Sequence, residues 1–246
     1  MTIEIGQVEA IFRYPVKSMA GERVEVANMG WHGIDGDRRL ALRRTQERSS
    51  FPWLSASKLP DLLLFTPLRH EDGAQGDVPT HVRTPEGKEM AVFGEELAAE
   101  IERRHGAPVQ MMHMRAGIFD EASVSVIATD TVREIGRLTG RDLDMRRFRP
   151  NIVVRPLRAN PFQEDKWVGG VLLFGEPGEG PRVSVTMRDV RCSMVNFDPD
   201  SGRSAPEVMK SIVRMNQNNA GIYGTVIRTG RLATGQTIRL QELAEK

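Results

Sequence analysis

Apolar residues recur at every second position through residues 3–13, 22–29 and 38–44, and Gly-rich turns such as Gly33-Ile34-Asp35-Gly36 interrupt them. A period of two places alternate side chains on opposite faces of an extended chain, so these segments predict antiparallel strands. The same signal marks residues 62–68, both flanks of Pro85-Glu86-Gly87, and residues 109–114, 123–128, 152–155, 171–174, 183–190, 221–228 and 237–240. Three segments switch to helical spacing. Glu95 to His105 sets Leu97, Ala98 and Ile101 on one stripe, with Gly106 as a left-handed stop. Thr131 and Glu134 fit a capping box ahead of Ile135 and Leu138, with Gly140 closing that helix. Pro206 suits the first turn of a third helix running through Val208, Ile212 and Met215. Many strands and few helices predict a mainly β (α+β) protein of barrel-like architecture. A boundary near residues 106–120 divides it into an N-terminal β domain, 1–108, and a C-terminal domain, 109–246, with interleaving allowed.

Composition narrows the function. The 246 residues carry 34 Lys and Arg against 33 Asp and Glu, interspersed along the chain, so no nucleic-acid-binding surface is expected and any anion site is local. The first thirty residues hold Glu4, Glu9, Arg13 and Lys17, and no apolar run reaches membrane-spanning length. A soluble cytoplasmic protein is therefore expected. The single cysteine, Cys192, excludes an internal disulfide, a CxxC pair and a Cys-rich zinc site. His32, His70, His81, His105 and His113 show no ligand spacing and read as structural or surface residues. No GxGxxG, GxxxxGK[ST] or GxSxG sequence is present, which removes most support for dinucleotide, nucleotide-hydrolysing and serine-esterase chemistry.

Cys192 follows a predicted strand in Arg188-Asp189-Val190-Arg191-Cys192-Ser193 and precedes the turn-rich Asp198-Pro199-Asp200-Ser201-Gly202. A thiol there is either a displayed nucleophile or ligand, with Arg188 and Arg191 as cations able to favour the thiolate, or a small buried hydrophobe. Lys17 and Ser18 end Tyr14-Pro15-Val16-Lys17-Ser18 as a cation and a hydroxyl suited to phosphate. Taken alone, they read rather as an exposed strand end with a solvated Lys17. Asp37-Arg38-Arg39 and Arg147-Phe148-Arg149-Pro150-Asn151 place guanidiniums where strands begin. Arginine forks grip phosphate bidentately, or they form surface ion pairs.

Five blocks taken in order resemble the MOSC family, and in particular proteins that join a MOSC domain to an N-terminal β-barrel partner, such as the mitochondrial amidoxime-reducing component family. YPVKS at Tyr14 to Ser18 and GIDGDRR at Gly33 to Arg39 resemble the N-terminal signature. FRPNIVV at Phe148 to Val154, FQEDKW at Phe162 to Trp167 and RCSMVNFDPDSG at Arg191 to Gly202 resemble the MOSC signature. The resemblance implies a molybdenum-pterin cofactor with Cys192 as the metal ligand. It implies that Lys17, Ser18, Arg38, Ser123, Arg149 and Asn151 hold the pterin and its phosphate. It also implies reduction of N-hydroxylated or related N- and S-oxygenated small molecules by oxygen-atom abstraction. In that mechanism Asp198 or Asn196 either orients substrate or relays protons, or the two simply cap the turn. Ser193-Met194-Val195-Asn196-Phe197 departs from the family's Thr-rich stretch, and Tyr223-Gly224-Thr225-Val226 departs from its Gly-Gln-Asn-like sequence. Those differences bear on substrate preference. A ferredoxin-like extension found in some relatives is missing, so electrons are expected from a flavin reductase, a ferredoxin-like protein or a b-type cytochrome. Two other readings share the same residues: a cofactor carrier or storage protein, and a sulfur-transfer protein with a Cys192 persulfide.

Overall fold

The computed structural model describes residues 2–70, 78–176 and 178–242. The N-terminal half contains β1 (Thr2–Arg13), β2 (Glu22–Val24), β3 (Val26–Gly30), β4 (Gly33–Ile34), β5 (Leu40–Arg44), β6 (Thr66–Leu68), β7 (His81–Arg83), β8 (Glu89–Ala91), α1 (Glu95–His105) and β9 (Val109–His113). There follow β10 (Val124–Ala128), α2 (Thr129–Thr139), β11 (Ile152–Pro156), β12 (Val171–Phe174) and β13 (Arg182–Val190). The chain continues through α3 (Glu207–Asn216), β14 (Asn219–Arg228), β15 (Gly230–Ala233) and β16 (Thr237–Gln241).

Seven strands close on themselves in the order β11-β10-β14-β13-β12-β16-β1, because β1 pairs with β11 as well as β16. Closure leaves no open sheet edge in the barrel. Val8, Ile11, Val126, Ile152, Leu172, Val185, Ile222 and Ile238 fill its interior. Helices α2 and α3 cover one outer wall, where Ile127, Ile135, Phe148, Val153, Val208 and Ile212 form a second apolar layer. Every residue of β10 is buried for this reason: Val124 and Val126 face the barrel while Ile127 faces the helices. A third core, with Leu42, Leu62, Phe65, Val82, Leu97 and Ile101, belongs to the smaller unit made by the β5–β9 pair, the β6-β7-β8 sheet and α1. The first strand therefore lies in the barrel of the C-terminal half, and β3 pairs with β15 from the other end of the chain.

Local differences from the periodicity have identifiable causes. Leu62 to Leu64 form an apolar run that a buried strand would also show, but Pro60 opens a 3-10 turn over Pro60–Leu64, and only Thr66–Leu68 is extended. Gly106 and Gly140 take the expected left-handed stops, with φ of 80° and 64°. Thr131 is not an N-cap: α2 begins at Thr129, and Ala128 occupies the cap position. The Thr131 hydroxyl instead donates to buried Glu164 at 2.9 Å and accepts the amide of Phe162 at 2.8 Å, while Glu134 pairs with Arg137. Glu164 also accepts the amide of Ala128 at 3.2 Å, so the FQEDKW block anchors the start of α2. In α3 the buried stripe stops at Ile212, and Met215 is exposed.

Candidate functional site

Asp37, fully buried, ties the first two sequence blocks together. Its Oδ1 accepts the amide of Tyr14 at 2.7 Å, and its Oδ2 accepts Arg38 Nη1 at 2.5 Å. Backbone bonds from Arg38 to Tyr14 and from Lys17 to Leu40 complete the clasp. Ser18, Arg38 and Arg149 all occupy the left-handed backbone region, with φ of 67°, 50° and 48°. Such conformations cost a non-Gly residue on the order of 1 kcal/mol or more and cluster at functional sites. Here the surrounding bonds hold them. Arg38 donates to the carbonyl of Arg149 at 3.0 Å, and Arg149 donates to the carbonyl of Met19 at 2.8 Å.

Ser18, Arg38 and Arg149 line one cavity of about 350 Å³. Lys17, Ser18, Arg38 and Arg149 form one side, and Asp189, Arg191, Cys192 and Tyr223 another. Lys17 is only 6% exposed, so the solvated strand end is excluded. Its Nζ meets Asp120 at 2.6 Å and lies 5.6 Å from the Phe51 ring centroid. Cys192 sits between the end of β13 and a 3-10 turn and is exposed, which excludes the buried-hydrophobe reading. Of the two cations expected beside it, Arg188 points away to Asp165 at 3.6 Å and Gln217 at 3.4 Å. Arg191 is held by the carbonyls of Ala220 and Phe148 at 2.6 and 2.8 Å.

The remaining expected residues stand behind or beside the cavity wall. Asn151 is 1% exposed; it accepts the Ser125 amide at 3.1 Å and Arg38 at 3.4 Å, and donates to Phe12 at 3.3 Å. A Cβ on Gly33, at φ 90°, would fall 2.5 Å from the carbonyl of Ser123, so the GIDG glycine admits that segment. Neither Asn151 nor Ser123 lines the cavity. Asp198 does not line it either: Oδ1 accepts the amides of Asp200 and Ser201 at 3.2 and 3.0 Å, and Oδ2 accepts Arg147 at 2.9 Å. Asn196 Oδ1 accepts the amide of Met209 at 3.0 Å, in the first turn of α3.

Burial and charge pull the lining groups apart. Burial lowers Lys17 against the attraction of Asp120. The Asp120 carboxyl is held low because Lys17, Arg38 and Arg149 outweigh its own desolvation. Burial works against Arg38 too, but Asp37 more than offsets it and raises the guanidinium. Arg149 has no carboxylate in ion-pair contact among the described residues, and burial brings it down to about 10, still protonated at neutral pH. Its Nη2 is buried without a hydrogen-bond partner, and its guanidinium lies 4.2 Å from the Tyr14 ring centroid. A buried charge left uncompensated is costly, so this arrangement favours an anionic guest. Asp189, 1% exposed, is pushed up to about 6 by desolvation, which Arg191 only partly opposes.

Sequence reasoning passed over Asp120 and Asp189, and it met Tyr223 only as the start of a stretch bearing on substrate preference. Asp189 carries a detectable signal, as the only acid within the 183–190 strand pattern and three residues before Cys192. The available groups fit a phosphate-bearing cofactor with a thiolate-bound metal: cations and a hydroxyl on one side, an exposed thiol on the other. Among the described residues no group of three or more His, Cys, Asp and Glu side chains is placed to hold a metal ion. No helix among them is long and apolar enough to cross a membrane.

The structure is similar over 99% of this chain and 97% of that chain to the YuaD protein from Bacillus subtilis, with 15% identity and a TM-score of 0.53, which supports the fold. YiiM from Geobacillus stearothermophilus matches 49% of this chain and 54% of its own, with 19% identity and a TM-score of 0.38. No curated protein matches the sequence. The sequence matches the MOSC N-terminal beta barrel domain over residues 5–129 and the MOSC domain over residues 102–239, and the chain therefore belongs to the MOSC family.

Proposed function

We propose that this protein is a molybdenum-cofactor-dependent reductase of N-hydroxylated or related N- and S-oxygenated small molecules, supplied with electrons by a separate redox protein. The observation that carries the reading is Arg149: a part-buried arginine without a carboxylate partner among the described residues, its buried Nη2 unsatisfied, in the cavity that also displays Cys192. Family membership supports it.

In this reading Lys17, Ser18, Arg38 and Arg149 hold the phosphate of the pterin. Asn151 fixes the Arg38 guanidinium, and Ser123 fixes the neighbouring wall through Gly33. Cys192 ligates the metal, and its place at a strand end leaves the sulfur open to the cavity. When bound, the molybdenum centre supplies two-electron oxygen-atom abstraction, chemistry that no side chain performs. The protein's own contribution is to neutralise the cofactor's charge, limit solvent and keep polar groups beside the substrate. The donor is a flavin reductase, a ferredoxin-like protein or a b-type cytochrome, and the protein works in the cytoplasm.

The test is metal and pterin analysis of protein from a cofactor-competent host, followed by turnover of benzamidoxime with an artificial reductant. Near-equal molybdenum and pterin, with activity lost by orders of magnitude in Cys192→Ser, is the expected result. Release of cofactor to an apo-enzyme without turnover supports a carrier instead. One extra sulfur atom on Cys192 without molybdenum supports sulfur transfer.

A further inference from the structure

Asp189 is a carboxyl in a barrel strand that opens onto the cavity. The β13–β14 register runs Arg188 to Ile222 and then Val190 to Asn219, so Asp189 falls at a register shift. Bulges of this kind re-aim side chains beside active sites. Here Asp189 is buried while its neighbour Val190 is 66% exposed. Both fixed contacts of the carboxyl converge on one oxygen: Ser125 Oγ donates to Oδ2 at 3.2 Å, and Arg191 Nη2 approaches it at 2.9 Å. Oδ1 has no hydrogen-bond partner among the described residues, and the residue lines the cavity beside Val190, Arg191 and Cys192.

Oδ1 is thus left to water in the cavity, which a guest carrying the right donor can replace. The charge surroundings define that guest. Arg191 already compensates Asp189, Arg38 adds positive potential, and Asp120 and Tyr223 stand on the remaining sides. A second cation would meet those guanidiniums, whereas a neutral N–H or O–H donor would not.

We propose that Asp189 is the specificity-determining residue of this cavity, its Oδ1 accepting a hydrogen bond from the amino or hydroxyl group of a small neutral substrate. The inference rests on the proposed function for the identity of the substrate class and on the cavity alone for the contact. A site built to take a donor discriminates strongly against analogues that lack it.

The experiment is calorimetric titration of purified protein, without reductant, with benzamidoxime and with an analogue in which every N–H and O–H is methylated. Wild type is expected to favour benzamidoxime by tenfold or more, and to lose that preference as pH falls through about 6. In Asp189→Asn the amide oxygen must turn toward Arg191, which presents an NH2 group to the cavity in place of the acceptor. The preference should then disappear and become independent of pH, while affinity for the methylated analogue stays within about threefold. Asp189→Glu should restore part of it. A purely structural role for Asp189 would weaken both compounds together and leave their ratio intact. Equal affinities in wild type, or an unchanged ratio in Asp189→Asn, overturns the inference. Because the assay requires no turnover, protein that shows the preference yet never reduces benzamidoxime refutes the proposed function and leaves the contact standing.

Discussion

Arg38 reaches across 111 positions in sequence to donate from Nη2 to the carbonyl of Arg149 at 3.0 Å, and both residues are in the left-handed backbone region. Both guanidiniums also stand over the Tyr14 ring, at 5.0 and 4.2 Å from its centroid. The bond brings two cations close together, but among the described residues only Arg38 has a carboxylate against it. Inorganic phosphate should therefore stabilise the cofactor-free protein by supplying the missing charge. At about 100 times its dissociation constant the gain is roughly 2.7 kcal/mol, or about 5–10 °C in melting temperature for a chain of this size. Arg149→Gln should erase this phosphate-dependent shift without lowering the melting temperature in its absence. A variant that responds to phosphate as wild type does would show that Arg149 plays no part in anion binding.

Gly221 controls how closely Arg191 approaches the barrel wall. At φ 87°, a Cβ there would lie 2.7 Å from the carbonyl of Val126 and 3.1 Å from Arg191 Nη2. Gly221→Ala combines backbone strain with displacement of a guanidinium that holds Ala220 and Phe148, so a loss of roughly 2–4 kcal/mol is expected. Gly87→Ala is the internal control: it has φ 90° with no atom within 4 Å of a Cβ, so it carries the strain alone, about 1 kcal/mol. Urea unfolding of both variants separates the contributions. Equal losses would mean that close packing around Gly221 costs nothing.

Strand positions and helix ends were legible because period-two alternation and Gly stops are local signals. The 3-10 turn at Pro60–Leu64 was misread because Leu62 to Leu64 continue an apolar pattern that fits either state. Thr131 was misread because its hydroxyl serves Glu164, thirty-three positions away, rather than its own helix. Among site residues, Lys17, Arg38, Arg149 and Cys192 stood out by chemistry and by block resemblance, and the structure brings them to one cavity. The burial of Lys17 and the left-handed backbones of Arg38 and Arg149 had no sequence signature, since they depend on Asp37 and on carbonyls from distant segments. Asp189 shares the buried face of Val183 and Val185 that alternation along β13 assigns, but a lone acid in an apolar strand pattern carries no local sign that Ser125 and Arg191 hold it there.

The carboxyl of Asp189 should leave a pH signature in stability. Its ordinary value is 3.8 and the folded value about 6, so between these the native state binds more protons than the unfolded chain. Stability therefore falls as pH rises from about 4 to about 6 and is level above that, by an amount on the order of 3 kcal/mol. Asp189→Asn lacks this contribution, whereas Glu164, also raised by burial, remains in both proteins and cancels. The difference in unfolding free energy between wild type and variant, measured in urea at pH 4, 5, 6 and 7, should shift against wild type across that range. A flat difference would mean that Asp189 ionises in the folded protein as it does in the unfolded chain.

Asp198 tests whether a carboxylate near the cysteine block acts on substrate or on the turn that carries it. Its Oδ1 accepts the Asp200 and Ser201 amides and the Ser201 hydroxyl, at 3.2, 3.0 and 2.9 Å, and its Oδ2 pairs with Arg147 at 2.9 Å. Arg147 is in turn bound to the carbonyl of Asn196 at 3.0 Å, so the carboxylate fixes the loop after Cys192 from two directions. Asp198→Asn keeps one amide acceptor but removes the charge opposite buried Arg147, whose guanidinium is already lowered by desolvation. A loss of about 1–3 kcal/mol in stability is expected, with turnover per bound molybdenum within about threefold of wild type. A proton relay would behave in the opposite way: stability nearly unchanged, turnover down by about a hundredfold or more, and one limb of the pH–rate profile missing. Melting temperature, metal content and the pH profile of kcat, measured on the same preparations, distinguish the two. Retained stability with a missing limb would move Asp198 from the turn into the chemistry.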